Sequence, residues 1–261
     1  MSLDPTQIAS REQFDRRAAC YGTAHILNDT TDVADALREL DSAGAALDPA
    51  LDVATGAGHT AVHLASRGLR VTAADLSSSM LAQTARLVAE RGVTVQTEQH
   101  SAEKLPWPGE SFGLVTCRLA AHHFSSVQSF LCEAHRVLRP GGWLLVIDGA
   151  APDDAREAEE WIHQVEKLRD PSHVRFLRPS HWRSLVAAAG FDVQRCRCAP
   201  FKQPDVEWYF RTADTSEENR RRVLELVENA PEEARRIFRI GREDGRVVWW
   251  WARMTLLARR R

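Results

Sequence analysis

The sequence predicts an α/β fold, a mostly parallel β-sheet with helices on both faces and a helical cap. Three observations indicate this class. From residue 48 short β-rich segments alternate with helical segments, and the connections between them are tight. A glycine-rich turn joins the first strand to the first helix. Two long helical blocks interrupt the alternation after residue 150. Strand–helix alternation of this kind returns successive strands in one direction and buries both faces of the sheet.

The first half of the predicted core begins with a buried strand at 50–54 and a helix that runs through Ala65. Further strands are expected at 69–75, 93–99, 112–118 and 143–149, with helices at 77–90 and 125–138. Serines precede the helix at 77–90 as caps, and Pro140-Gly141-Gly142 ends the helix at 125–138.

The second half is richer in helix. We predict helices at 153–170, 179–189 and 203–239, strands at 191–198 and 246–260, and an N-terminal helical segment at 7–44. The chain is therefore divided into three parts. These are N-terminal helices at 1–47, a core at 48–152, 179–202 and 244–261, and a cap at 153–178 and 203–243.

Composition excludes several classes of protein. Of 261 residues, 44% are hydrophobic and 27% charged, as in globular enzymes. The 34 Lys and Arg do not exceed the 36 Asp and Glu, which argues against a nucleic-acid partner. No apolar run is long enough for a membrane span, and the N-terminus lacks a signal-peptide core. We therefore expect a cytoplasmic protein, with its five cysteines reduced.

The glycine-rich turn indicates a nucleotide-containing cofactor. Gly56 and Gly58 follow a strand and open a helix, and Asp75 ends the next strand, where a carboxylate can accept both ribose hydroxyls. Asp52, just before the turn, would repel the pyrophosphate of a dinucleotide but favour the sulfonium and ammonium of S-adenosylmethionine. The sign of charge thus favours S-adenosylmethionine over NAD.

Four segments carry a resemblance to a known family. LDVATGAGHTAVHLA, AADLSSSML, SAEKLPWPGESFGLVTCRLAAHHF and EAHRVLRPGGWLLVID occur in that order between about residues 50 and 148. They resemble the class I S-adenosylmethionine-dependent methyltransferases, and within them the ubiquinone/menaquinone C-methyltransferase-like (methyltransferase type 11) proteins. The resemblance implies a Rossmann-like sheet of seven strands whose last strand is antiparallel. It also implies S-adenosyl-L-methionine as cofactor and S-adenosyl-L-homocysteine as product.

The resemblance assigns cofactor-binding roles by position. Asp52 would hold the ammonium, Asp75 the ribose, and Leu76 one face of the adenine. Ala102 would offer its N–H to the adenine, and Ser101 stands where the family usually has Asp. The full set is Tyr21, Asp52, Thr55, Gly56, Gly58, Asp75, Leu76, Ser101, Ala102 and Arg118.

Within this set, the remaining roles concern the methionine end. Gly56 and Gly58 would line the methionyl group, and the carbonyl of Arg118 would meet its ammonium. Tyr21 corresponds to a tyrosine in an N-terminal helix that closes over the methionine end. The N-terminal helices at 1–47 are accordingly expected to cover the cofactor.

Catalytic candidates follow the fourth strand. His122 and His123 lie where the methyl group is expected, and a neutral imidazole is a suitable base for a phenol, enol or acidic carbon. The alternative is that one histidine caps the next helix and the other packs. In the cap, Arg169, His173 and Arg175 surround a Pro-Ser turn and would suit an anionic acceptor, unless they are solvated charges.

Other clusters are weaker candidates. His59 and His63 have a metal-ligand spacing, but no third ligand accompanies them, so we expect no metal site. Trp249, Trp250 and Trp251 are expected to cover sheet surface, or to touch a partner subunit in a homodimer. The prediction is a methyltransferase for a small-molecule acceptor, anionic or aromatic, at oxygen or carbon. The alternatives are an NAD-linked oxidoreductase and a noncatalytic S-adenosylmethionine-binding regulatory protein.

Overall fold

Seven strands form the central sheet in a computed structural model that describes residues 3–22, 25–203 and 205–261. They are β1 (Ala50–Val53), β2 (Val71–Asp75), β3 (Val95–Gln99), β4 (Phe112–Arg118), β5 (Leu138–Ala150), β6 (Phe191–Lys202) and β9 (Trp250–Arg260). Two short strands, β7 (Gly241–Glu243) and β8 (Arg246–Val248), form a separate hairpin.

The strand order is β3-β2-β1-β4-β5-β9-β6. Strands β1 to β5 pair in parallel, and β9 is antiparallel to both β5 and β6. The prediction of a Rossmann-like, seven-stranded sheet with an antiparallel last strand is therefore confirmed. The order reverses between β1 and β4, and ligands of such sheets bind at the carboxyl ends of the strands beside that point.

Both faces of the sheet are covered by helices. Leu144 and Val146 of β5 belong to the apolar cluster that contains α6 (Val127–Val137) and α8 (Pro179–Ala188). Their neighbours Leu145 and Ile147 belong to a second cluster, which contains α3 (Thr31–Ser42) and α4 (His59–Ser66). Because successive side chains of a strand alternate between faces, this continuous apolar run serves both clusters. Helix α5 (Ser78–Arg91) follows β2 and packs along β3.

A third apolar cluster forms the cap, which comprises α7 (Arg156–Arg169), α9 (Val206–Ala213), α10 (Glu217–Glu228) and α11 (Glu232–Ile237). The predicted single block at 203–239 is three helices, because Asp214 adopts a left-handed conformation and Ser216 caps a new helix. The strand predicted at 246–260 is also divided. Trp249 leaves the ladder and is fully buried in the cap cluster.

The N-terminal segment is three helices, α1 (Pro5–Gly22), α2 (His25–Asn28) and α3. Helix α1 packs against α5 and α9, which places it across the carboxyl edge of the sheet. Among the described residues, no helix combines the length and apolar character needed to cross a membrane. No disulfide links the described cysteines.

Candidate active site

Two adjoining cavities lie at the carboxyl edge of the sheet. The first, with about 1000 Å³ of open space, is bounded by the turn after β1, the end of β2 and helix α1. The second, with about 800 Å³, lies between the end of β5, the cap and the start of β9. They share a wall made of Phe14, Tyr21, Leu27, Leu119 and His123. Molecules in the two cavities would therefore meet at this wall.

The turn after β1 depends on its glycines. Gly56 has φ +57°, and a Cβ there would meet nothing within 4 Å, so the backbone faces open space. Gly58 has φ +88°, and a Cβ there would lie 2.7 Å from Cγ2 of Thr84. The Thr84 hydroxyl in turn donates to the Gly56 carbonyl at 2.9 Å. Gly56 thus leaves room for a ligand, whereas Gly58 leaves room for helix α5.

Asp75 lines the first cavity from the end of β2. Its Oδ2 accepts the Gly56 N–H at 2.8 Å, and its Oδ1 accepts the Ser77 N–H at 2.8 Å. Burial raises the pKa of this carboxyl to about 6 despite these bonds. Each oxygen keeps a lone pair for a further donor, which suits a pair of ligand hydroxyls.

Asp52 lies behind the wall of the first cavity. It is 1% exposed and accepts the hydroxyls of Thr116 and Thr55, each at 2.6 Å. Burial raises its pKa to about 6. Because Asp52 does not line the cavity while Thr55 does, its charge acts on a ligand through Thr55 or at a distance. Asp52, expected to hold the ammonium directly or through water, is therefore not placed for direct contact with a ligand in the first cavity.

Helix α1 closes the other side of the first cavity. Gln7 donates to the hydroxyl of Ser101 at 3.1 Å, and the Ser77 hydroxyl donates to Asp15 at 2.6 Å. Tyr21, near the end of the helix, packs edge-on against Phe14, and burial raises its pKa to about 12. Tyr21 is therefore a neutral phenol at physiological pH and can donate a hydrogen bond.

Eight of the ten residues expected at the cofactor line the first cavity: Tyr21, Thr55, Gly56, Asp75, Leu76, Ser101, Ala102 and Arg118. Asp52 and Gly58 support it from behind. The side chain of Arg118 turns away from β4 to pair with Asp32, with Nε 3.0 Å from Oδ1. His59 also lines this cavity, because α4 begins at that residue. Its Nε2 has no hydrogen-bond partner among the described residues.

His122 lies in a short 3₁₀ turn, Ala121–His123, and lines the second cavity. Its Nδ1 is 2.6 Å from Oδ1 of Asp148, whose Oδ2 accepts the His122 backbone N–H at 2.9 Å. Burial disfavours the charged imidazolium, but the Asp148 carboxylate outweighs it, so the pKa of His122 is raised. Because Asp148 holds Nδ1, Nε2 is the nitrogen that can exchange a proton.

His123 has a different environment. Its Nδ1 is 3.1 Å from the Ser172 hydroxyl, which itself donates to Asp170 at 2.6 Å. Burial, and then the adjacent charge of His122, lowers the pKa of His123 to about 4. The two rings lie 4.2 Å apart between centroids. The pKa values of the two histidines therefore differ: His122 takes the first proton, and His123 in the shared wall stays neutral.

The cap residues expected at the acceptor do not come together. Arg169 lines the second cavity, but its nitrogens are taken by Glu166, the Tyr209 carbonyl and Thr212. His173 is buried behind the wall, where its ring packs 4.8 Å from that of Phe176.

Arg175 corrects the expectation of an arginine cluster over the cleft. It is half exposed, outside the second cavity, and donates to Glu159 at 2.9 Å. Arg178 pairs with the same carboxylate, and together the two arginines offset the burial of Glu159 and lower its pKa to about 2. The α7 carboxylate therefore draws both side chains to the outer surface.

Sequence reasoning missed several residues of the second cavity. Phe201 and Trp208 precede and begin the cap insertion, and Trp251 and Arg253 lie on β9. Trp251 was expected on sheet surface, but its Nε1 donates to Glu166 at 2.9 Å inside the cavity. A signal existed for Asp148, since a carboxylate at the carboxyl end of a parallel strand faces the ligand edge.

The chemistry of the first cavity fits S-adenosylmethionine. Asp75 has acceptors for ribose hydroxyls, the turn at Gly56 is open, and two carboxylates lie near the turn. Of the two arginines that line the cavity, Arg118 is paired with Asp32. Among the described residues, no group of His, Cys, Asp or Glu is arranged to hold a metal ion.

Comparison with known proteins gives the same assignment. Residues 51–146 match the family model described as a methyltransferase domain. The uncharacterized methyltransferase YcgJ of Bacillus subtilis is 33% identical over 192 residues, 72% of this chain and 74% of YcgJ. The demethylmenaquinone methyltransferase of Thermus thermophilus is 38% identical over 165 residues, 55% of this chain and 74% of that protein.

Solved structures agree. The YcgJ crystal structure has a TM-score of 0.75 at 29% identity, covering 83% of this chain and 93% of that one. A Bacillus halodurans structure, provisionally described as a methyltransferase, has a TM-score of 0.78 at 34% identity, covering 85% and 97%. The chain therefore belongs to the class I S-adenosylmethionine-dependent methyltransferases, and S-adenosylmethionine is its cofactor.

Proposed function

We propose that this enzyme methylates a small-molecule acceptor held in the second cavity, at oxygen or carbon, with His122 as the general base. The observation that carries the proposal is that His122, held by Asp148, lines a cavity directly adjoining the cofactor cavity. The cavity is lined mainly by aromatic and other apolar side chains with a few polar groups, as is usual for small-molecule sites. When bound, S-adenosylmethionine supplies an electrophilic methyl group on a positively charged sulfur.

His122 is suited to remove the acceptor proton. Asp148 accepts the Nδ1 proton, so the lone pair of Nε2 is available to take a proton from an acceptor hydroxyl or acidic carbon. The raised pKa makes His122 a stronger base than His123, whose pKa of about 4 makes it a poor one. We assign His123 to the shared wall, where it orients the acceptor.

Water exclusion is the second contribution of the chain. Six aromatic residues line the second cavity: Phe14, Tyr21, Phe176, Phe201, Trp208 and Trp251. Displacement at a methyl group needs the donor and acceptor aligned and shielded from solvent, which apolar walls on both sides provide. We propose that the cap at 153–178 and 203–243 sets acceptor specificity, since it supplies Arg169 and Trp208, and that the helices at 1–47 close over the cofactor.

The residues expected to bind the cofactor lie close together around the first cavity, which supports the roles predicted for them. We propose that Asp75 holds the ribose and that Leu76, Ser101 and Ala102 surround the adenine, with Gln7 fixing the hydroxyl of Ser101. At the other end, Tyr21, Thr55 and the carbonyl of Arg118 face the methionine group. The charge of Asp52 attracts its ammonium through Thr55.

The test uses transfer of a deuterated methyl group from labelled S-adenosylmethionine to a small-metabolite extract, followed by mass spectrometry to identify the acceptor. With that acceptor, His122→Ala should lower kcat about a hundredfold or more, because a positioned base contributes at least that much. The loss should be eased at high pH, where the acceptor ionises unaided. If His122→Ala and His123→Ala both stay within about threefold, no histidine base operates and proximity alone drives transfer.

Asp148→Asn distinguishes a role of Asp148 in holding His122 from a general loss of structure. Base catalysis requires neutral His122, so kcat of the wild type should fall as pH drops through the raised pKa of His122. Without the Asp148 carboxylate, the largest contributions that raise this pKa are lost while burial still lowers it, so the acid limb of the pH profile should move to lower pH. An acid limb that does not move would contradict the role given to Asp148.

A further inference from the structure

Three buried guanidinium groups lie at or near the second cavity, and one of them, Arg253, bonds to the described residues through a single nitrogen. Arg118 donates from Nε, Nη1 and Nη2 to Asp32 and to the carbonyls of Leu27 and Asp29. Arg169 likewise uses all three nitrogens. Arg253 makes one hydrogen bond with the described residues, from Nη1 to Asp32 at 3.2 Å. Its side chain lines the second cavity and is 14% exposed.

Arg253 shares its ion-pair partner with a second arginine. Arg118 and Arg253 both pair with Asp32, and the carboxylates of Asp29 and Asp148 act on Arg253 only from beyond ion-pair distance. Burial lowers the pKa of Arg253 to about 10, which still leaves it protonated at neutral pH. A cation held in this way, with free N–H donors, favours an anion in the cavity.

The acidic side chains of the cavity are already engaged. Glu166 accepts from the Tyr209 hydroxyl at 2.9 Å, from Trp251 at 2.9 Å, and from Arg169 at 3.3 Å. Asp170 accepts the backbone N–H of Ser172 at 2.9 Å and its hydroxyl at 2.6 Å. Neither carboxylate pairs with Arg253, since Glu166 pairs with Arg169 and Asp170 holds Ser172.

Flat apolar surfaces surround the free guanidinium. Arg253 stacks over the ring of Phe201, with Cζ 3.6 Å from the centroid. Phe201 is itself parallel to Trp251 within 8°, at a centroid distance of 6.2 Å. Stacked, nearly parallel rings beside a planar cation suit a planar ligand whose polar group meets the guanidinium edge.

Sheet register brings this subsite close to the base. Arg253 of β9 pairs with Gly149 of β5, the residue after Asp148, which holds His122. Paired residues on adjacent strands share a face. The ring of Phe176 packs against Gly149 and lies 5.0 Å from the His122 ring between centroids, edge-on. We infer that Arg253 binds the carboxylate of a planar aromatic acid, and that this acid is the acceptor whose reacting atom faces His122. The inference about the acceptor rests on the proposed function.

The binding test uses simple probes. The three hydroxybenzoic acids and the matching neutral hydroxybenzamides are titrated by calorimetry into the protein saturated with S-adenosylhomocysteine. A charge-assisted bond to a buried guanidinium should make at least one acid bind about tenfold to a hundredfold more tightly than its amide. Arg253→Gln should remove this preference, and Arg253→Lys should keep part of it. Arg175→Gln, which changes an arginine outside the cavity, is the matched control and should leave the preference intact.

The outcomes are distinguishable. Equal affinity for acids and amides, a preference that persists in Arg253→Gln with unchanged circular dichroism, or no binding of any acid at millimolar concentration would overturn the inference. If Arg253→Gln fails to fold, Arg253→Lys provides the test. An Arg253→Lys variant with the same affinity for acids and the same preference over amides would count against a contact between the planar guanidinium and the carboxylate. Binding does not depend on the base. An acid that binds through Arg253 but accepts no methyl group would instead refute the proposed function and leave the anion subsite standing.

Discussion

Asp75 offers the sharpest test of cofactor binding. Its two carboxylate oxygens hold the Gly56 and Ser77 N–H groups and keep lone pairs directed at the first cavity. A hydrogen bond to a charged acceptor contributes about 1.5–3 kcal/mol, and two ribose hydroxyls would use two of them. Because water can enter the truncated site and replace part of this energy, Asp75→Ala should weaken S-adenosylhomocysteine binding at least tenfold, or about 1.4 kcal/mol.

The same substitution should leave the fold intact. The pKa of Asp75 is about 6 against an ordinary 3.8, so its ionised form costs about 3 kcal/mol of stability at neutral pH. Removing that cost offsets the loss of an acceptor for two N–H groups, at about 1–3 kcal/mol each. The melting temperature should therefore change by only a few degrees.

Calorimetric titration with S-adenosylhomocysteine measures the effect, with circular dichroism as the check on folding. Asp35→Ala is a suitable control, because Asp35 lies on the exposed side of α3 and, among the described residues, pairs only with Arg38. The control should bind like the wild type. An Asp75→Ala variant that folds and binds with unchanged affinity would refute the ribose assignment.

Two more predictions follow from the turn and its carboxylates. The pKa values of Asp52 and Asp75 are raised to about 6, so both groups lose their charge as pH falls through that value, and the attraction for the ligand ammonium fades. Affinity for S-adenosylhomocysteine should be lower at pH 5 than at pH 7.5 in calorimetry; a flat profile would contradict this. Gly58→Ala must fit a Cβ 2.7 Å from Thr84 at φ +88° and should lower thermal stability by about 1–3 kcal/mol. A melting temperature equal to the wild type would count against the tight packing of the turn.

The sheet and the cofactor turn were predictable because their information is local. The parallel strands are short apolar runs, and Asp75 follows Gly56 at a spacing that one strand–helix–strand unit imposes. Because successive side chains of a strand alternate between the two faces of the sheet, the face of each β5 side chain can be predicted without knowing which residues pack against it.

The second cavity was harder to predict because its residues are distant in sequence. Arg253 and His122 line the same cavity because β9 pairs with β5 in antiparallel fashion. No local pattern in the last strand reveals this pairing. Arg175 shows the opposite error. Its neighbours suggested an anion site, but Glu159, one helix earlier, lies close enough to pair with it on the outer surface. Charge runs in a cap can be assigned only when the facing helix is known.

We propose above all that the cofactor and the acceptor occupy adjoining cavities and meet at the wall formed by Phe14, Tyr21, Leu27, Leu119 and His123. A crystal structure with bound S-adenosylhomocysteine tests it most directly. We expect electron density for the ribose against Asp75 and for the sulfur at this wall, facing the second cavity. Density that placed the sulfur away from the second cavity, or the ligand outside the first, would contradict it.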